Sequence, residues 1–415
     1  MPMKYTLLGI FISLGVALFM APVFAGQGEI YGKIYTVDND VLEGFIRWDK
    51  NEASWTDVFD GLKDREPIRK SRARADRRDE YDHTIRIFGI AIYRESGDGT
   101  GIFDSDQAQS GIRFGQIKSI TPDGDDAVLL LLKSGERVEF RNGSTDFGKG
   151  LRGVIIDDKK EGPTELYWED IDKVELEEAP NVESKFGKRL YGKVTTRRGN
   201  DFAGFVAWDI DEVYNTDILD GRDRHRSRKI DFADIKSIER NSSRSSMVVL
   251  KDGREMRLED SNDIDSDNRG ICISDPNLGR INISWDEFDI IEFQDASAEM
   301  PYSAFNGGRK IHGTVYTEAG EKYTGNIKWD DDEESTWELL NGDYEDVDMA
   351  VEFGEIKSIE KISSRTSQVT LKDGRTFRLK GSNDVDSGNR GIFIDTGKDE
   401  IEVDWDEFEK AELAD

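Results

Sequence analysis

Two stretches of this chain, LKDGREMRLEDSNDIDSDNRGICI at 250–273 and LKDGRTFRLKGSNDVDSGNRGIFI at 371–394, are almost the same string, and a worn copy, LKSGERVEFRNGSTDFGKGLRGVII, fills 132–156. A fixed internal repeat constrains folding more than any single residue does. It replaces one large domain with several copies of one unit, each packing its own apolar face.

Landmark spacing extends the repeat beyond these strings. A glycine (Gly32, Gly192, Gly313) precedes a Trp-Asp pair (Trp48-Asp49, Trp208-Asp209, Trp329-Asp330) by 16 positions, and a second glycine (Gly61, Gly221, Gly342) follows that tryptophan by 13. The segments FGQIKSI, FADIKSI and FGEIKSI then begin at Phe114, Phe232 and Phe353, each 21 positions before a turn glycine, Gly135, Gly253 or Gly374. The landmarks divide the chain into repeat units at 29–178, 189–295 and 310–414. From tryptophan to phenylalanine is 24 positions in the last two units and 66 in the first, so the first carries an insertion of 42 residues within about 62–112. That insertion holds a basic run at 69–78 that includes Arg69, Arg72 and Arg74.

The segments are strand-like. KVTTRRGNDFAGFVAWD and TVYTEAGEKYTGNIKWD alternate apolar and polar residues around a glycine turn, and LKDGR places Asp-Gly between two alternating runs. These are hairpin signals. No stretch beyond the N-terminus keeps a helical apolar period for three turns. The expected class is all-β, as three tandem units. Short strands, glycine turns and an aromatic-x-x-Ile-x-x-Ile-Glu closing pattern (Phe353, Ile356, Ile359, Glu360) resemble small SH3-like and Sm-like barrels. The resemblance implies one or two such barrels per unit, with a single 3₁₀ turn before the closing strand; it implies a fold and not an activity.

The chain's formal charge is −30, which repels nucleic-acid phosphates and anionic lipid head groups. Lys4, an apolar run from Leu7 to about Ala21 and the small-residue pattern Val23-Phe24-Ala25 read as a secretory signal at 1–25. The apolar run is about 15 residues, short of the ~20 a spanning helix needs. The mature chain is therefore expected to be exported, periplasmic or extracellular, with no membrane span once the signal is removed. The lone cysteine, Cys272, aligns with Ile155 and Phe393, a position for a buried apolar residue.

The most specific local pattern is Ser-x-Asp-apolar-x4-Arg-Gly, found at 144–153, 261–270 and 382–391. It nominates Asp146 and Arg152, Asp263 and Arg269, and Asp384 and Arg390 either as a loop frame in which the aspartate accepts backbone N–H bonds or pairs with the arginine, or as a repeated binding loop. Asp263, Asp265 and Asp267 have the alternating carboxylates of a calcium loop, but Gly148 and Gly388 interrupt the copies and no downstream bidentate glutamate follows. Trp48, Trp208 and Trp329, each followed by Asp-x-x-Glu, suit either a core position or a sugar-stacking site. Three scattered histidines, His83, His225 and His312, build no repeated acid–base or zinc site. No phosphate-binding glycine loop and no G-x-S-x-G elbow is present.

Together these features lead to the expectation of a non-catalytic binding or structural module of the envelope or extracellular space, with a protein or polysaccharide partner and no cofactor, calcium at 263–267 standing only among the alternatives. The alternatives are a carbohydrate-active hydrolase using a carboxylate pair and a divalent-cation-binding protein. Opposite-sign loops, basic at Arg222, Arg224, Arg226, Arg228 and Lys229 and acidic at Asp343, Glu345, Asp346 and Asp348, are expected to pair between units or molecules.

Overall fold

The computed structural model describes residues 26–64, 84–87, 90–94, 107–141, 144–296, 299–345 and 347–414. The expected signal segment and the basic run at 69–78 lie outside them. Among the described residues the protein is all-β, its helical content confined to single 3₁₀ turns such as Phe114–Gln116, Phe232–Asp234 and Phe353–Glu355. Each of these turns precedes a long strand, Ile117–Pro122, Ile235–Ser242 or Ile356–Ser363.

The same pairing recurs in all three stretches. In the first, the sheet runs in the order Gly162–Leu166, Val154–Asp158, Val41–Trp48, Tyr31–Thr36, Ile171–Leu176, Ile117–Pro122, Ala127–Leu132, Arg137–Arg141, Val58–Asp64, Gln107–Arg113. The halves suggested by the sequence are thus joined edge to edge, through Val174↔Ile120 in the first stretch and Ile291↔Ile238 and Ala411↔Ile359 in the others. Register is shared too, with Gly32↔Gly44, Gly192↔Gly204 and Gly313↔Gly325. The reason for glycine at Gly44 is close approach. A Cβ there would sit 2.0 Å from the Asp157 carbonyl oxygen, and one at Gly325 would sit 2.1 Å from that of Asp395.

Alternation sends one face of each strand inward. Strand Val41–Trp48 buries Leu42, Gly44, Ile46 and Trp48, and the indoles of Trp48, Trp208 and Trp329 are all 0% exposed. Trp208 meets Phe288 at 5.2 Å and Trp329 meets Phe408 at 5.4 Å, both edge to face. All eight tryptophans are buried, which places the three sugar-stacking candidates in the core.

The insertion occupies one hairpin tip. In unit two Ile218–Asp223 pairs with Arg226–Asp231 across a two-residue turn, Arg224-His225, with both φ angles left-handed at 46° and 72°. In unit one the equivalent strands Val58–Asp64 and Gln107–Arg113 keep the same pairing, Gly61↔Ser110 against Gly221↔Arg228. The extra residues leave and return at the tip without disturbing the ladder.

The units are welded together. Strand Gly279–Ile283 of unit two pairs with Val347–Glu352 of unit three, giving one sheet of 20 strands. Tyr302, Phe305 and Trp337 pack into the core of unit one, with Trp55 and Tyr302 rings 4.5 Å apart. Buried ion pairs cross between units. Arg280 Nη2 donates to Asp60 Oδ1 at 3.0 Å, Arg113 Nε lies 2.8 Å from Glu352 Oε2, and Arg189 Nη2 lies 3.1 Å from Asp57 Oδ2. Arg222, Arg228 and Lys229 pair with Asp260, Asp223 and Asp220 of their own unit.

Candidate functional site

Two motifs that are remote in sequence meet in every unit. The Trp-Asp-x-x-Glu segment is a tight turn: Trp48 N–H donates to the Glu52 carbonyl at 2.8 Å, and Glu52 N–H donates back to Trp48 O at 3.0 Å. The turn requires left-handed backbone at Asp49 and Lys50, Asp209 and Ile210, and Asp330 and Asp331. A β-branched residue at φ 62°, as at Ile210, is a costly conformation. The turn directs the acidic side chains back under the strand.

The Ser-x-Asp loop closes over that turn. Indole Nε1 of Trp48, Trp208 and Trp329 donates to the backbone carbonyl of Asp146, Asp263 and Asp384 at 2.7, 2.8 and 2.9 Å. Those aspartates accept, through Oδ2, the backbone N–H of Asp60, Asp220 and Asn341 at 2.6, 2.6 and 2.7 Å. Of the two roles open to these aspartates, accepting backbone N–H or pairing with the loop arginine, the structure shows the first. Arg152 instead holds Asp49, with its backbone N–H 2.6 Å from Oδ1 and its guanidinium 3.0 Å from Oδ2. Arg269 holds Asp209 at 2.9 Å and Arg390 holds Asp330 at 2.8 Å. The arginine thus closes the loop onto the turn aspartate, while the loop aspartate accepts backbone N–H through Oδ2.

The result is a carboxylate cluster in each unit: Asp49, Glu52 and Asp146; Asp209, Glu212 and Asp263; Asp330, Asp332 and Glu333. Within each, one oxygen per residue lies within 4.8 Å of the others, so these are the described residues that could hold a metal ion. Asp263 belongs to such a cluster, but not with its sequence neighbours. Asp265 Oδ1 accepts the Asp267 N–H at 2.9 Å in a local turn at the rim.

Burial governs the protonation of these groups. It pushes Glu52, Glu333, Asp146 and Asp384 well above the usual carboxylate range, with neighbouring carboxylates adding to the effect. Glu212 is raised to about 9, Asp330 to about 7 and Asp263 to about 6, burial being the largest cause in each. Cys272 is buried, its thiol pushed up to about 12, a core residue rather than a reactive one.

The cross-unit pair Asp60–Arg280 adjoins the unit-one cluster and had no signal in the repeat. The position of Arg280 is Pro163 in unit one and Glu400 in unit three, so the landmarks carry nothing about it. Comparison with known protein families, characterised proteins and solved structures finds no match. The likeness to SH3-like barrels thus stays one of strand length and turn pattern.

Proposed function

We infer that this is an exported, non-catalytic binding or structural protein of the cell envelope or extracellular space, working as one rigid block of three repeated units. The observation that carries the reading is the set of buried ion pairs across unit boundaries, Arg280–Asp60, Arg113–Glu352 and Arg189–Asp57. Breaking any of them strands a charge in the interior, so the units hold a fixed relation. Equivalent outer surfaces are then presented at set spacings, an arrangement suited to multivalent attachment to a polymer or an array of proteins.

The rival, a carbohydrate hydrolase, needs a solvent-facing carboxylate pair that reaches a glycosidic oxygen. Supporting the non-catalytic reading, the carboxylate clusters recur in all units and sit mostly in the interior, with Asp49, Asp209 and Asp330 each 0% exposed and Glu212 half-buried. The test is retention of the full chain on immobilised envelope polysaccharides and envelope proteins, run alongside a reducing-sugar assay on the same polysaccharides. Saturable retention without sugar release is the expected result. Sugar release that survives purification and is lost on substituting one carboxylate pair would overturn the proposal.

A further inference from the structure

Of the three clusters, that of unit one is the most closed and the least satisfied. Glu52 is 1% exposed and Asp146 and Asp49 are 0%. Neither oxygen of Glu52 meets a hydrogen-bond partner, and neither does Asp146 Oδ1. A buried carboxylate with both oxygens unmatched is costly to hold in a folded protein unless something satisfies it.

Three facts identify what would satisfy it. The first is geometry. The cluster's oxygens lie within 4.8 Å of one another, and ligands on opposite sides of an ion bonded at about 2.4 Å lie about 4.8 Å apart. The second is charge. Arg152 is the guanidinium in contact with the cluster, and it is shared with Asp211 of unit two, so when all three carboxylates are ionised at least two negative charges are left for a cation to meet. The neighbouring Asp57 and Asp60 are paired with Arg189 and Arg280. The third is valence. One proton shared between Glu52 and Asp146 would satisfy one oxygen of each and leave the second Glu52 oxygen orphaned, with one charge uncompensated.

We propose that Asp49, Glu52 and Asp146 bind one calcium-class divalent cation between the Trp-Asp turn and the Ser-x-Asp loop of unit one. The donor set is all oxygen, which selects a hard cation, and magnesium's strict octahedron with retained waters suits so closed a site poorly. The other units are built less for it. Glu212 is half-buried and has one buried unmatched oxygen rather than two, and beside Glu333 the ammonium of Lys63 already bonds Glu338 and the Asp332 carbonyl. Binding ties strand Val41–Trp48 to the loop at 144–153, so the ion stabilises the folded chain.

The test uses the full chain, stripped with a chelator, then titrated with calcium while melting is followed and, separately, with terbium excited through tryptophan. The Trp48 indole, bonded to the Asp146 carbonyl, is in place to sensitise a bound lanthanide. The expected result is a saturable rise in melting temperature of several degrees, and terbium emission that calcium competes away. Glu52→Gln should abolish both responses, and Glu212→Gln should leave them. A chelated wild-type chain that ignores millimolar calcium and gives no sensitised emission overturns the proposal, whether or not Glu52→Gln folds. So does a calcium response undiminished in a folded Glu52→Gln chain.

Discussion

Glu29 lies outside the clusters, and its burial has a consequence of its own. Packed at 4% exposure against Tyr214, Arg189, Glu299 and Ser184, with the Tyr214 hydroxyl donating to Oε2 at 3.1 Å, its carboxyl is raised from 4.5 to about 8, mainly by burial. Between those values the folded chain keeps a proton that the unfolded chain has released. The associated stability is full below the unfolded value and is lost as pH rises through the folded one, at about 1.4 kcal/mol per unit. Glu29→Gln mimics the protonated form, so across that window its stability in urea should fall less with pH than the wild type's. Equal slopes would show that Glu29 is ionised in the folded protein. At the same scale, Trp329 is 0% exposed and its N–H is bonded to Asp384. Trp329→Ala should cost about 3–5 kcal/mol, read as a shift in denaturation midpoint.

Hairpins are where this chain absorbs change. The Val58–Asp64 and Gln107–Arg113 ladder of unit one has the register of its counterparts and differs in what lies beyond its tip. Loop closure costs little per added residue, which is why a long insertion is tolerated there. Replacing 65–106 with Asn-Gly, a pair suited to left-handed turns, should leave the far-ultraviolet circular dichroism and the melting temperature nearly unchanged. Loss of cooperative melting in that variant would mean that the insertion holds the unit together.

For the whole molecule the decisive contacts are those that no single unit possesses. Arg280 and Asp60 are 5% and 1% exposed, so Arg280→Ala leaves a buried carboxylate without its partner, a loss of about 3–5 kcal/mol. Calorimetry should show unit one melting ahead of the continuous sheet of units two and three, whereas the wild type melts in one transition. A double change, Arg280→Met with Asp60→Leu, removes both charges and should recover most of the loss. If Arg280→Ala melts like the wild type, the block is not held by its buried pairs. Because those pairs are shielded from water, salt should not separate the units.

Local physics made much of this legible in advance. Alternation of period two, Asp-Gly turns and repeated glycines marked the strands and the all-β class, because strand pairing and turn geometry depend on residues near one another in sequence. The inward place of Trp48, Trp208 and Trp329 followed from their phase at the end of alternating strands. The sequence left Asp146 either to accept backbone N–H or to pair with Arg152; it accepts the Asp60 N–H, and the arginine holds Asp49, some hundred residues away. Glu52 was visible as a letter in a motif, but its isolation from every hydrogen-bond donor was not. Burial and unmet valence are properties of what surrounds a side chain, and at this cluster the surroundings come from a turn, a distant loop and the neighbouring unit, which only the tertiary structure brings together.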